Sequence, residues 1–164
     1  MCIRDRLMAI EPLQDLFLPV NKHGKQNRHA TQQLNEAMAG DNPVLMFPAG
    51  LVSRKGKSGK IADLEWHKMF VQKAIEYQRT VVPLHFSGHN SQFFYNFAKL
   101  RVLLGLKFNI EMVRLPKEVF LSKGKQFEIT VGTPIRPGQL CRNCNAGTEA
   151  QNIKKIVYNL QSQK

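Results

Sequence analysis

One stretch constrains the chain more than any other: Val44 to Lys60, which reads Val-Leu-Met-Phe-Pro-Ala-Gly-Leu-Val-Ser-Arg-Lys-Gly-Lys-Ser-Gly-Lys. The apolar run Val44 to Phe47 predicts a buried strand. Pro48 and Gly50 end it abruptly, and the loop that follows carries Arg54, Lys55, Lys57 and Lys60 without one acid. A basic, glycine-containing loop at the carboxyl end of a strand is where α/β sheets place anionic ligands, because glycine lets the backbone approach them. The alternative is a solvated loop whose lysines confer solubility.

The whole chain leans the same way, with 24 Lys and Arg against 12 Asp and Glu and a formal charge of +12. Such a balance favours an anionic partner, whether nucleic acid, anionic lipid headgroups or a phosphorylated substrate. At 164 residues and 43% apolar content, one domain with a real core is expected, spanning 7–164, with Met1 to Arg6 set apart as a leader that fits neither helix nor strand. No apolar run is long enough to cross a bilayer as a helix, and no signal peptide opens the chain. Three cysteines, Cys2, Cys141 and Cys144, make no disulfide framework. The spacing of Cys141 and Cys144 lacks the second ligand pair that a zinc site requires, so no metal is expected.

Periodicity orders the rest. A kinked helix is expected from Leu7 to Leu18, interrupted at Pro12, and a helix from Asn27 as cap to Ala39, stopped by Gly40. Asp63 is read as the cap of a helix over Leu64 to Gln78. Thr80 to Phe86 reads as an apolar strand in which Pro83 forces an edge or a bulge. Gln92 to Leu106, rich in aromatic and aliphatic residues with Lys99 and Arg101, reads as a core helix, or as a segment lying in a membrane interface. Lys125 to Val131 alternates, with Phe127, Ile129 and Val131 expected inward. A last amphipathic helix carries Ile153, Ile156, Val157 and Leu160. Helix followed by strand, twice, predicts an α/β fold with a mixed, largely parallel sheet.

Two chemistries are tested by spacing. A nucleotide-binding P-loop has four residues between its first Gly and the Gly-Lys-Ser, whereas five, Leu51 to Lys55, lie between Gly50 and Gly56-Lys57-Ser58. A nucleic-acid module has the charge but neither the paired aromatic signature of an RNA-recognition fold nor finger spacing. Both remain alternative readings, and neither nucleotide nor nucleic acid is the expected partner.

Phe47-Pro48-Ala49-Gly50 with Ser53-Arg54 resembles the Phe-Pro-Glu-Gly-Thr-Arg-Ser block of the glycerolipid acyltransferases, the 1-acylglycerol-3-phosphate acyltransferase-like family. Val20-Asn21-Lys22 resembles that family's second motif and Val81-Val82-Pro83-Leu84 its fourth. Ile61 to Trp66 and Gly88 to Tyr95 look like its hemolysin-related or aminolipid O-acyltransferase branch, and the likeness covers roughly Leu7 to Ile135.

The resemblance implies transfer of an acyl group, from an acyl carrier protein or coenzyme A thioester, to the hydroxyl of a lysophospholipid or an N-acyl amino acid. It implies no cofactor besides that co-substrate, and an enzyme peripheral on the anionic inner face of the plasma membrane. It places Asn21, Lys22, Phe47, Pro48, Gly50, Ser53 and Arg54 at the acceptor site, and Asp63, Trp66, Pro83, His89, Asn90 and Ser91 around the pocket. Ala49 stands where the family has Glu, which favours an acceptor other than lysophosphatidate. The family's general base is a His with an Asp five residues on. Here His23, His29, His67, His85 and His89 are followed at that distance by Arg28, Leu34, Gln72, Asn90 and Phe94. No catalytic residue is therefore assigned within this chain, and an amino-terminally truncated acyltransferase with little activity of its own is expected. His85 is expected in the core and His67 in a structural role.

Overall fold

A computed structural model of the chain describes residues 18, 28–56, 58–105, 110–140 and 145–160. The chain divides into two compact units, Met1–Met46 and Phe47–Lys164. In the first lies helix α1 (Arg28–Ala39), which buries Leu34 and Met38, four residues apart and so on one face. Gly40 closes it, its N–H reaching the Glu36 carbonyl at 3.0 Å. The expected cap Asn27, the expected kinked helix up to Phe17, the Met1 to Arg6 leader, and Asn21 and Lys22 lie outside the described residues.

The expected buried strand Val44 to Phe47 is not one. It pairs with no described segment, and Leu45 and Phe47 stand 68% and 79% exposed. An apolar run becomes a strand only where a neighbour supplies the other half of the ladder.

The second unit begins with a hairpin of β1 (Arg54–Lys55) and β2 (Ile61–Ala62), paired Arg54 to Ala62 and Lys55 to Ile61. Gly59 sits at φ +79° in its turn, a conformation costly for any residue with a Cβ. Helix α2 (Met69–Glu76) follows. It starts after Lys68, not at Leu64, and Lys68 makes no side-chain cap; the carboxylate of Asp63 is committed elsewhere. Strand β3 (Leu84–Phe86) pairs antiparallel with β4 (Ile129–Val131), and Val81 bridges Ile135 on the far side of Pro83. Pro83 thus interrupts the ladder as its missing N–H dictates, while its carbonyl accepts the Gly132 N–H at 2.8 Å.

Between these strands run α3 (Gln92–Leu103), a 3₁₀ turn (Ile110–Arg114) and α4 (Leu115–Leu121), and α5 (Ala146–Asn159) ends the described chain. Asn145 caps α5 by accepting the Gly147 N–H at 2.8 Å. The 3₁₀ turn and α4 carry no period long enough to be read from sequence.

Helices and strands are mixed, consistent with an α/β fold, but the described ladders are two antiparallel pairs and not a largely parallel sheet. The core joins α2, α5 and β3, with Val71, Ala150 and Ile153 almost wholly enclosed. Burying Val71 and Ile153 stabilises the fold by about 1.5–3 kcal/mol each relative to exposure. The alternation of β4 was read correctly in period and wrongly in side: Ile129 and Val131 are each 64% exposed, and Phe127 is exposed with them. Among the described residues, helix α5 packs on β3. His85 lies toward that helix, its ring 6.3 Å from that of Tyr158 on α5. Helix α3 is likewise two-sided, burying Phe94, Tyr95 and Ala98 and exposing Phe93, Leu100, Val102 and Leu103.

Candidate acceptor-headgroup site

The loop that opens the second unit is fixed from below. Phe47 to Gly50 forms a turn, with the Gly50 N–H on the Phe47 carbonyl at 3.0 Å and Gly50 at φ +62°. The Pro48 carbonyl accepts the His67 N–H at 3.1 Å. Ala49 is buried, so the position that carries Glu in the resembling block contributes no carboxylate here.

Asp63 ties the far end of this loop to α5. One carboxylate oxygen accepts the Ser53 hydroxyl at 2.6 Å and the other the Trp66 indole N–H at 3.1 Å. The Asp63 N–H donates to the Tyr158 hydroxyl at 2.8 Å, and Lys154 donates to the carbonyls of Asp63 and Leu64 at 2.8 and 3.0 Å. Gln151 donates to the Trp66 carbonyl at 2.8 Å. Burial, reinforced by the Asp63 charge, pushes the Tyr158 hydroxyl above its ordinary pKa, against the lowering effect of the Asp63 N–H. Asp63 is thus a loop anchor and not a helix cap.

Arg54, next to Ser53, turns to a different partner. Its Nη2 lies 2.7 Å from Glu111 Oε1, and Arg101 Nε on α3 lies 2.9 Å from Glu111 Oε2. Glu111 is 0% exposed, while the side chains of Arg54 and Arg101 keep 17% and 11% of their surface. Burial lowers the pKa of Arg54 and the Arg101 charge adds to that, while Glu111 opposes both. A carboxylate so enclosed is tolerable only because two guanidinium groups meet it.

A third knot holds the loop before α3. Ser91 donates its N–H and hydroxyl to the two oxygens of buried Glu118, at 2.6 and 2.8 Å, and its Oγ accepts the Phe94 N–H at 3.2 Å as the cap of α3. The Asn90 N–H donates to the Tyr95 hydroxyl at 3.2 Å. Burial raises the Tyr95 pKa; the Asn90 hydrogen bond lowers it, the charges of Glu118 and Asp63 raise it, and that of Arg54 lowers it. Tyr95 therefore feels all three knots. Lys55 reaches Gln92 at 3.4 Å, and the Arg114 guanidinium covers the Phe93 ring at 4.3 Å.

Of the residues expected at the site, Ser53, Asp63 and Trp66 meet in the first of these knots, Arg54 lies in the second, and Asn90 and Ser91 lie in the third. Pro83 is buried at the interruption of the ladder, Phe47 is exposed, and His67 and His89 are solvent-facing. Gly56 and Ser58 lie in the hairpin turn, not at a helix N-terminus, which removes the structural basis of a P-loop. Sequence reading missed Arg101, Glu111, Glu118, Tyr95 and Tyr158. The available signal was a lone acid inside an otherwise apolar stretch, at Ile110-Glu111-Met112-Val113 and at Glu118-Val119-Phe120-Leu121. Among the described residues no three His, Cys, Asp or Glu converge as a metal site, and no helix is long and apolar enough to cross a membrane.

An acyltransferase family model matches residues 1–163. The chain is 44% identical over 158 residues to a lyso-glycine lipid O-acyltransferase of Phocaeicola vulgatus, covering 96% of this chain and 56% of that protein. It is 42% identical to a protein of the same description from Bacteroides thetaiotaomicron, covering 96% of this chain and 58% of that one. The chain thus spans little more than half the length of these curated relatives. No solved structure matches it. The motif resemblance, the matched family model and the two relatives agree: the chain belongs to the lipid acyltransferase family.

Proposed function

We propose that the whole protein moves an acyl group from a thioester, on acyl carrier protein or coenzyme A, to the hydroxyl of a lyso-glycine lipid, and that this chain carries the pocket for the acceptor's headgroup. The observation that carries this reading is the placement of Arg54 and Arg101 together, where both meet the chain's own buried Glu111. A glycine headgroup amidated at nitrogen presents one carboxylate, and guanidinium is the side chain best shaped to hold it. The name shared by both relatives supports the same acceptor.

In the reaction the acceptor hydroxyl oxygen attacks the thioester carbonyl, its proton passes to a general base, and the thiol leaves. The base that the family resemblance implies is a His with Asp five residues on, and no His of this chain has one. The residues here bind and orient. Setting the enzyme at the inner membrane face fits the charge of +12 and the exposed apolar side chains of α3 and α4.

Calorimetric titration tests the pocket with a short N-acyl glycine that carries a hydroxyl on its acyl chain, below its micelle concentration. The chain is expected to bind it without turnover. Arg54→Gln should weaken binding about ten- to a hundredfold, the effect of one hydrogen bond to a charged group. Unchanged affinity in Arg54→Gln, equal affinity for the matching carboxamide, or binding of Mg-ATP in its place would overturn the assignment.

A further inference from the structure

The β3–β4 pair leaves one of its faces in the open. Leu84, Phe86, Ile129 and Val131 alternate with His85 and Thr130, and the register sets Leu84 opposite Val131 and Phe86 opposite Ile129, so the four share a face. His85 takes the other face, toward Tyr158 of α5. Each of the four keeps two fifths or more of its surface exposed, as does Phe127, whose ring stacks on that of Phe86 at 5.2 Å. Gly88 leaves room for that stack, since a Cβ there would stand 2.1 Å from the Phe86 ring. The five residues make one contiguous apolar patch, which scattered surface side chains do not.

The backbone is open at the same residues. The Gly132 N–H donates to the Pro83 carbonyl at 2.8 Å and the Ser87 N–H to the Glu128 carbonyl at 3.0 Å, which makes His85 and Thr130, midway between, the hydrogen-bonded pair of the ladder. Leu84 and Phe86 on one strand, and Ile129 and Val131 on the other, therefore turn their N–H and C=O groups outward. No third described strand lies beside either edge.

An apolar face bounded by open edges is a template for another segment of chain. Lipid covers apolar side chains but leaves outward N–H and C=O groups without partners, whereas a strand meets them. A second copy of the chain must reach the face by diffusion, while a segment of the same polypeptide is held beside it at an effective concentration in the millimolar range. The match to this chain accounts for 56% and 58% of the two curated relatives, so more than two fifths of each lies outside it.

We propose that the part of the whole protein outside this chain seats on the β3–β4 pair, supplying a strand along a free edge and the apolar cover of Leu84, Phe86, Phe127, Ile129 and Val131. The inference rests on the family relationship and not on the reading of Arg54, so the headgroup titrations and the experiment on this face fail separately.

The test compares the chain alone with the same chain grafted into the Phocaeicola vulgatus relative in place of its matched stretch. In the chain alone the amides of Leu84, Phe86, Ile129 and Val131 should exchange hydrogen quickly. In the graft those of one edge, Leu84 with Phe86 or Ile129 with Val131, should exchange about a hundredfold more slowly. Ile129→Thr/Val131→Thr keeps both residues β-branched; it should leave the Tm of the chain alone within about 1 °C and lower that of the graft by about 5 °C or more. If the graft does not fold, the relative's unmatched part co-expressed as a separate polypeptide carries the same readouts. Exchange as fast with that part as without it, or an equal Tm response in both proteins, overturns the inference. So does protection in the chain alone that grows with its own concentration, the mark of a second copy, or that follows the addition of anionic vesicles, the mark of a membrane face.

Discussion

Two tyrosine hydroxyls, those of Tyr95 and Tyr158, end in the same small region and are both held in their protonated form, chiefly by burial. Their native pKa values are raised, so the native chain holds these protons more tightly than the unfolded chain does. Below the ordinary tyrosine value of about 10 this stabilisation is fully present, and as pH rises toward the higher native values unfolding releases protons and stability falls. The Tm is therefore expected to drop steeply above about pH 10, and Tyr158→Phe, which has no hydroxyl to ionise, should drop less over the same interval. An identical decline in the variant would show that Tyr158 does not titrate with folding. At this scale the sequence exposed the residues of the basic loop but not their partners. Arg54 was legible because its neighbours are chemically unlike it in a recognisable order. Glu111 was not, because the burial of a carboxylate is decided by guanidinium groups far along the chain, and a lone acid reads as a surface residue until those are placed.

Helix α3 shows what local signals deliver and where they stop. Its extent followed from composition, while its cap, Ser91, does two tasks at once: it accepts the Phe94 N–H and donates to Glu118 on α4. Ser91→Ala should cost about 1–3 kcal/mol, combining a lost cap with a buried carboxylate deprived of a donor. Asp is normally as good a cap as Ser, yet Ser91→Asp should be worse than Ser91→Ala, because it sets a second carboxylate against Glu118. Urea denaturation orders the three chains, and an Asp variant more stable than the Ala variant would contradict the Ser91–Glu118 contact. The strands were less legible than the helices for a related reason. Alternation in β4 fixes which residues share a face but not which face a helix covers, and Val44 to Phe47 had strand composition without a described partner. Asp63 was misread because a cap and a loop anchor look alike in sequence; only the presence of Ser53 and Trp66 on its two oxygens separates them.

Across the whole molecule, a charge of +12 is combined with aliphatic and aromatic side chains left in the open on α3 and α4, among them Leu103 at 82% and Phe120 at 79%. Charge brings such a surface to anionic lipid and apolar side chains hold it there. The chain is expected to sediment with anionic vesicles and not with zwitterionic ones, to be released at about 1 M salt, where screening acts within about 3 Å, and to bind more weakly as Leu103→Ser/Phe120→Ser with its Tm unchanged. Equal sedimentation with both vesicle types would count against the membrane assignment. The family was legible from order alone, in blocks scattered from Val20 to Tyr95, whereas the antiparallel pairing of the strands was not, since pairing joins segments that no local pattern connects. The Asp63 knot has one more consequence, and it is optical. Trp66 is the single tryptophan of the chain, and its indole N–H is bonded to the carboxylate that also holds Ser53, the residue before Arg54. Tryptophan emission from the protein is emission from this one loop, so the molecule carries its own unlabelled reporter beside the residues proposed to recognise the headgroup.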